Sequence, residues 1–153
     1  MSAGVATAEQ GRETAAFASA AEMRAVLTEL LRAIDTDSEL GGRLRDAHVS
    51  HRYVFTDLGF SLDVAGSDEE GHNVRYSFDE GDDSEPALTL EMSSEVANRY
   101  LQGRENRAIA IARRRIRCAG KSRAVLSLLP INRQLGECYR EVLRRNHPQL
   151  LLD

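Results

Sequence analysis

The tripeptide Gly120-Lys121-Ser122 is the first candidate for chemistry, because glycine, lysine and a hydroxyl side chain together can hold a phosphate group. The phosphate-binding loop G-x-x-x-x-G-K-[ST] also needs a glycine at its first position, where the backbone turns around the phosphate. Arg115 occupies that position in this chain. The spacing therefore argues against a phosphate-binding loop.

Metal and nucleophile chemistry would have to use a small set of dispersed side chains. The candidate ligands are His48, His51, His72, His147, Cys118 and Cys138. Metal sites usually place histidine and cysteine at short, regular spacings, and the two cysteines have no C-x-x-C spacing. No serine stands in a G-x-S-x-G turn. We therefore expect no metal, no cofactor and no catalytic residues, and a protein that is not an enzyme.

Charge is segregated along the chain. Residues 63–95 contain eleven Asp or Glu and one Arg, whereas residues 96–145 contain thirteen Arg or Lys and three Glu. Within the basic block, residues 107–123 have seven cations and no acid. This stretch suits anionic lipid headgroups, a phosphorylated ligand, or a solvated face that partners the acidic block. The net charge of −4 and the lack of interleaved aromatics argue against nucleic acid.

Length and composition indicate one globular domain. Residues 1–16 are small and polar and predict a disordered tail, which leaves residues 17–153 for the folded domain. No apolar stretch approaches the roughly 20 residues that cross a bilayer. We expect a cytoplasmic protein without a transmembrane segment.

Periodicity predicts two helices followed by four strands. Apolar residues recur at helical spacing from Met23 to Ile34, and Ser19 with Glu22 forms a capping box before them. A shorter helix is predicted over residues 37–48. Alternation then predicts strands near residues 53–55, 58–64, 74–78 and 88–92, and their short connections favour an antiparallel meander.

The second half of the chain predicts further helices and one more strand. A helix begins at Ser93 or Ser94 and ends at Gly103. The run 108–112 is apolar on all sides and predicts a buried turn, and residues 115–119 alternate as a fifth strand. Two terminal helices follow, with a break at Pro130.

Five segments carry a resemblance to a known family: Val54-Phe55-Thr56-Asp57-Leu58-Gly59, Leu88-Thr89-Leu90-Glu91-Met92-Ser93-Ser94-Glu95, Tyr100-Leu101-Gln102-Gly103, Ala108-Ile109-Ala110-Ile111-Ala112 and Ile116-Arg117-Cys118-Ala119-Gly120. Over roughly residues 20 to 130 the chain resembles the sterol carrier protein two family. The resemblance implies an α+β fold with a five-stranded, mostly antiparallel sheet covered by helices on one side. It also implies an apolar tunnel for sterols, fatty acyl chains or similar lipids. The chain departs from the family at Arg114, where a glycine is common, and in its longer, Arg-rich terminal helix.

The resemblance favours a cavity over a solidly packed core. The predicted cavity lining is Phe55, Phe60, Leu62, Tyr76, Phe78, Leu90, Met92, Ile109, Ile111 and Leu128. The function implied is binding or transfer of an apolar small molecule or lipid.

Two other functions remain open. One is an interaction module that forms a homodimer or docks on a partner protein through its C-terminal helix, which would present Ile131, Leu135, Val142 and Leu143. The other is a small enzyme that uses the cavity to shape a polyketide-like or terpenoid-like substrate.

Overall fold

The structure, a computed structural model, describes residues 15–79 and 85–153, and of Ser122 and residues 125–130 it describes the backbone alone. Along the chain, helices precede the first strand, separate the fourth strand from the fifth, and follow the fifth. The five strands form one sheet, so the predicted α+β class is confirmed. In chain order the elements are α1 (Ala20–Thr36), α2 (Leu40–Ala47), β1 (His51–Phe55), β2 (Phe60–Gly66), β3 (Val74–Phe78), β4 (Leu88–Met92), α3 (Ser94–Leu101), α4 (Arg107–Ala112), β5 (Ile116–Gly120), α5 (Ser122–Asn146) and a 3₁₀ turn (Pro148–Leu150).

Helix α1 begins at the predicted capping box. The Ser19 hydroxyl accepts a hydrogen bond from the Glu22 backbone N–H at 3.1 Å, and the Glu22 carboxylate accepts one from Ala18 at 2.9 Å. The helix buries six apolar side chains at helical spacing: Met23, Val26, Leu27, Leu30, Leu31 and Ile34. The predicted tail, residues 1–16, lies almost entirely outside the described residues, and Phe17 just beyond it is already buried in the core.

The alternating strand residues meet on one side of the sheet, which we call the apolar face. The strand registers align them in three rows, which are Tyr76-Val64-His51-Leu88-Gly120, Phe78-Leu62-Tyr53-Leu90-Cys118 and Phe60-Phe55-Met92-Ile116. The opposite face is polar, and on it Arg52 pairs with Asp63 of the neighbouring strand at 2.8 Å. Helices are therefore needed on the apolar face alone, as predicted.

The order of the strands differs from the predicted meander. The sheet has the order β3-β2-β1-β4-β5, in which β4 lies beside β1 in parallel and the other three pairings are antiparallel. Alternation decides which face a side chain occupies but not which strand lies next to it. An extended chain spans about 3.3 Å per residue, so residues 79–87 are long enough to connect β3 with the far side of β1. There β4 extends all three apolar rows.

The segment Ala108-Ile109-Ala110-Ile111-Ala112 is a short helix on β5, and the expectation that all of it is buried is wrong. Ala110 is fully buried, but Ile109 is 47% exposed and Ile111 is 38% exposed. A helix of this length turns one side toward the strand beneath it. The two isoleucines flank Ala110 and therefore face outward.

Helix α5 runs without interruption through Pro130, so the predicted break between two terminal helices is wrong. A proline removes one helical hydrogen bond. Burial of Ile131, Tyr139 and Leu143 on the inner side of the helix outweighs that loss. The helix is polar on its outer side, and no helix among the described residues is both long and apolar enough to span a bilayer.

We predict that equal truncations on β5 and α4 have unequal effects. Ile116→Ala removes a side chain that is 1% exposed and should lower the free energy of unfolding by about 2 to 5 kcal/mol. Ile111→Ala should lower it by less than about 1 kcal/mol, because that side chain already contacts water. Urea denaturation of both variants provides the measurement. Equal losses at the two positions would contradict the placement of α4.

Candidate functional site

An apolar space lies between the apolar face and the helices, and we call it the cavity. Its volume is about 60 Å³. Strands β1, β2 and β4 form its floor, and all helices except α4 contribute to its cover. The lining consists of Leu27, Leu30, Leu31, Ile34, Leu44, His51, Tyr53, Phe55, Leu62, Val64, Met92, Ala97, Tyr100, Leu101, Ile131, Asn132 and Leu135.

Only part of the predicted lining surrounds this space. Phe55, Leu62 and Met92 line the cavity. Phe60 and Leu90 are buried in the core outside its lining, and Tyr76 and Phe78 are half-buried toward the β3 edge. Ile109 and Ile111 are exposed on α4, and the Leu128 side chain lies outside the described part of the chain. A role for any of these residues in ligand binding stays a prediction.

The helical half of the lining was not predicted from the sequence. Leu27, Leu30, Leu31 and Ile34 already stood out as one apolar face of α1, but periodicity does not distinguish packing against side chains from packing against a space. The polar contributors His51, Tyr53, Tyr100 and Asn132 gave no signal of their own. His51 could have been found only by extending the alternation of β1 backward from Tyr53.

The cavity lining contains no Asp, Glu, Lys or Arg among the described side chains. His51 is 5% exposed, and its Nε2 atom is buried without a hydrogen-bond partner in the described structure. Burial lowers the pKa of His51 to about 4, so the ring is neutral near pH 7. Burial also raises the pKa of the Tyr53 hydroxyl, with Tyr100 adding to the rise and Arg107 opposing it. The cavity is thus uncharged near neutral pH.

An open groove adjoins the cavity beside α4, and we call it the mouth. It has a volume of about 640 Å³ and shares Tyr100, Leu101, Asn132 and Leu135 with the cavity lining. On its outer side stand Arg107, Ile111 and Arg133. The Arg107 guanidinium lies 5.6 Å from the centre of the Tyr100 ring, and its Nε atom is buried without a hydrogen-bond partner among the described residues. The mouth is therefore apolar inside and cationic outside.

A buried polar network fixes α3 to the end of the chain. The Asn98 amide donates to the Leu150 carbonyl at 3.0 Å and accepts at Oδ1 from the Tyr139 hydroxyl at 2.7 Å and from the Gln102 amide at 2.9 Å. The side-chain oxygen of Gln102, Oε1, in turn accepts hydrogen bonds from the Arg140 guanidinium and from the Leu152 backbone N–H. The network joins α3, α5 and the C-terminal residues, and so closes one side of the cavity cover.

A second polar cluster positions α4 at the mouth. The Glu105 side chain is 3% exposed and accepts hydrogen bonds from Arg99 at 2.9 Å and from Arg115 at 2.8 Å. Burial by itself raises the pKa of Glu105, but the two guanidinium groups outweigh that effect and hold the pKa below its usual value. The charged carboxylate thereby ties the end of α3 to the start of β5, on either side of α4.

Metal binding finds no support in the described side chains. No three His, Cys, Asp or Glu residues in the described ranges come together in a way that could hold an ion. His72 and Asp35 do form a pair at 2.7 Å, but the Asp35 carboxylate also accepts from the Asn73 and Val74 backbone N–H groups. That pair anchors the start of β3 to the end of α1.

Comparison with known proteins identifies the fold. No family model and no curated protein matches the chain. Among solved structures, it is similar to a crystal structure of sterol carrier protein 2, with a TM-score of 0.55, 16% identity, and coverage of 76% of this chain and 95% of the other. It is also similar to sterol carrier protein domain 2 of Helicoverpa armigera, with a TM-score of 0.53, 19% identity, and coverage of 72% and 85%.

Two further matches come from proteins with other names. A ubiquinone synthesis protein, UbiJ-SCP2, matches with a TM-score of 0.54, 13% identity, and coverage of 73% of this chain and 88% of the other. A double mutant of the sec-alkyl sulfatase PisA1 matches with a TM-score of 0.53 and 13% identity. That match covers 69% of this chain but only 15% of the sulfatase. The shared feature of these proteins is a sterol carrier protein 2-like fold.

The buried imidazole predicts a specific pH dependence of stability. The pKa of His51 is about 4 in the fold against 6.5 without burial, so the unfolded chain binds more protons between these values. The free energy of unfolding should therefore fall as the pH is lowered from 6.5 to 4, by about 3 kcal/mol from this ring. Urea denaturation at a series of pH values measures the fall, and His51→Leu should abolish this contribution.

His72→Gln is the matched control. The pKa of His72 is raised by its hydrogen bond to Asp35, so this ring stabilises the fold at low pH and loses that effect as the pH rises. Its removal should leave the His51 contribution in place. Parallel pH profiles for the wild type and His51→Leu would show that the His51 ring takes up protons in the folded state.

Proposed function

Since the chain has a sterol carrier protein 2-like fold, we propose that it binds an apolar, lipid-like ligand in the cavity and carries it without transforming it. The observation that supports this most is the uncharged lining between the apolar face and the helices. Burial of apolar ligand surface contributes roughly 25 cal/mol per Å². A site of this composition therefore favours hydrocarbon over any highly polar molecule.

The size of the cavity bears on how such a ligand is held. Its volume of about 60 Å³ holds a few small groups but no long chain. An apolar cavity that binds benzene has a volume of about 150 Å³. A long acyl chain or a sterol therefore requires the helical cover to move away from the sheet. The polar network at Asn98 fixes α3, so we propose that α1 and the first half of α5 give way instead.

The mouth supports a route for the ligand. Its inner residues Tyr100, Leu101, Asn132 and Leu135 also line the cavity, so an apolar chain that passes from one to the other meets no charged side chain among the shared residues. The exposed Ile111 extends apolar surface to the outside. We propose that the ligand enters and leaves here, beside α4.

The two alternative functions have less support. An interaction module would present the apolar side of its terminal helix, but of the four predicted residues Ile131, Val142 and Leu143 are buried within the chain and Leu135 is half-buried. An enzyme would bring a nucleophile or an acid-base pair into the cavity. The described lining offers one imidazole and two phenols but no carboxylate, amine or thiol. Among the described side chains, neither alternative is thus supported by an observation as direct as the apolar cavity.

A cytoplasmic location is part of the proposal. Cys118 and Cys138 are free thiols in the structure, and Cys118 is exposed. Exposed free thiols are kept reduced in the cytosol, whereas oxidising compartments convert them. The thiols thus favour a reducing compartment.

We predict saturable binding of one lipid per chain, weakened by filling the cavity. Ala97 is 1% exposed and lines the cavity from α3, so Ala97→Leu places three further carbon atoms in the space. Titration with a fluorescent sterol and with a fluorescent fatty acid should show one site in the wild type and about tenfold weaker binding in the variant, a change of about 1.4 kcal/mol. The melting temperature reports whether the variant is folded.

Ala119→Leu is the matched control for that variant. Ala119 lies on β5 beside Thr89, is exposed, and points away from the apolar face. The same added carbons at this position should leave binding unchanged. No saturable binding by the wild type, or equal affinities for both variants and the wild type, would refute a ligand site in the cavity.

A further inference from the structure

His51 is the polar residue in an otherwise apolar row of the sheet. It stands at the start of β1, opposite Val64 on one side and Leu88 on the other, and it lines the cavity. A valine or leucine here would continue the row with no loss of hydration. The imidazole instead gives up water, since only 5% of the residue is exposed.

Among the described side chains, two buried nitrogens have no hydrogen-bond partner, His51 Nε2 in the cavity and Arg107 Nε at the mouth, and in this His51 differs from the other buried polar residues of the core. Asn98 and Gln102, which are as deeply buried, use their side-chain atoms in the network with Tyr139 and Leu150. The His51 ring packs edge-on toward Tyr53, with 6.0 Å between ring centres, and its Nε2 atom has no hydrogen-bond partner among the described residues. Buried polar atoms in folded proteins are nearly always hydrogen-bonded. The Nε2 atom therefore offers a hydrogen bond that the protein itself does not use.

We propose that the cavity selects apolar alcohols, and that His51 Nε2 forms a hydrogen bond with the ligand hydroxyl. The inference rests on the proposed function, because it assigns a polar contact within the same cavity. A neutral imidazole nitrogen either donates or accepts a hydrogen bond, and a hydroxyl does both, so the pair forms with either tautomer. The hydroxyl is carried by a linear chain or by a polycyclic skeleton, and the chemistry of the contact is the same.

The surroundings of His51 disfavour a ligand that carries a carboxylate instead of a hydroxyl. The described lining of the cavity holds no cation: Arg107 and Arg133 border the mouth, and Arg52 next to His51 lies on the opposite, polar face of the sheet, where it pairs with Asp63. A carboxylate beside a neutral ring would lose its water without gaining an opposite charge. An uncharged hydroxyl loses much less and regains one hydrogen bond. The site therefore distinguishes an alcohol from the acid of the same chain length.

The test compares decanol, decanoate and decane at pH 7, each competing with an apolar fluorescent dye bound to the full chain. The variants are His51→Leu, which removes both ring nitrogens, and His51→Gln, which keeps a neutral donor and acceptor. For decanol, His51→Leu should weaken binding about tenfold, whereas for decane it should leave affinity unchanged or improve it. His51→Gln should restore part of the decanol affinity. Decanoate should bind more weakly than decanol to the wild type.

A second measurement covers the case in which a variant does not fold. In the wild type, the nitrogen resonances of the His51 ring should shift when decanol is added and stay in place when decane is added. Equal effects of His51→Leu on decanol and decane, or a ring that responds to neither, would overturn the hydroxyl contact while leaving the cavity as a ligand site. Tighter binding of decanoate that depends on His51 would overturn it in favour of an acid. Failure of the dye and of all three ligands to bind would refute the proposed function and the contact together.

Discussion

The sheet of this protein is apolar on one face only, and the rest of the structure depends on that constraint. Three aligned rows of side chains lie on the apolar face, while the other face carries pairs such as Arg52 with Asp63. One layer of helices is then enough to bury the apolar surface. Helices are cylinders and the sheet is twisted, so their side chains do not fill every gap between the layers. The cavity lies in this gap.

Buried polar groups lie between the sheet and its helical cover in two different arrangements. The network around Asn98 and Gln102 satisfies its own atoms within the chain and so holds α3, the second half of α5 and the C-terminal residues in one arrangement. His51 stands on the floor of the cavity, and its Nε2 atom has no partner among the described residues. The first arrangement stabilises the cover, and the second leaves the hydrogen-bonding atom on which the proposed ligand contact rests. Rigid support around an unsatisfied group is what a binding site requires.

The basic stretch 107–123 places positive charge beside exposed apolar side chains. Its exposed arginines stand next to the exposed Ile109 and Ile111, and Arg107 borders the mouth. The buried Glu105 fixes this region through Arg99 and Arg115, so part of the positive charge serves the structure itself. Only the start of the stretch, Arg107, Ala108 and Ile111, borders the mouth. A role of its remaining cations in binding an anion stays a prediction.

Local features of the chain were determined by the sequence itself. The apolar stripe of α1 and the alternation within each strand follow from periods of 3.6 and 2 residues, and the capping box follows from Ser19 and Glu22; the structure shows each of them. The resemblance carried by the short segments also anticipated the fold that the solved structures share. These features depend on neighbours within a few positions, so one sequence contains enough information to predict them.

Tertiary structure decided everything that depends on distant neighbours. The parallel placement of β4 beside β1, the passage of α5 through Pro130 and the exposure of Ile111 each reflect a balance of burial between elements far apart in the chain. The same holds for the site, where Leu62 of β2 and Met92 of β4 line the cavity, but Phe60 and Leu90, on the same face of the same two strands, do not. His51 looked like one of several scattered histidines until β1 placed it between Val64 and Leu88. Alternation predicts which face a side chain occupies, but whether it then meets another side chain, water or an empty space depends on the layer packed above it.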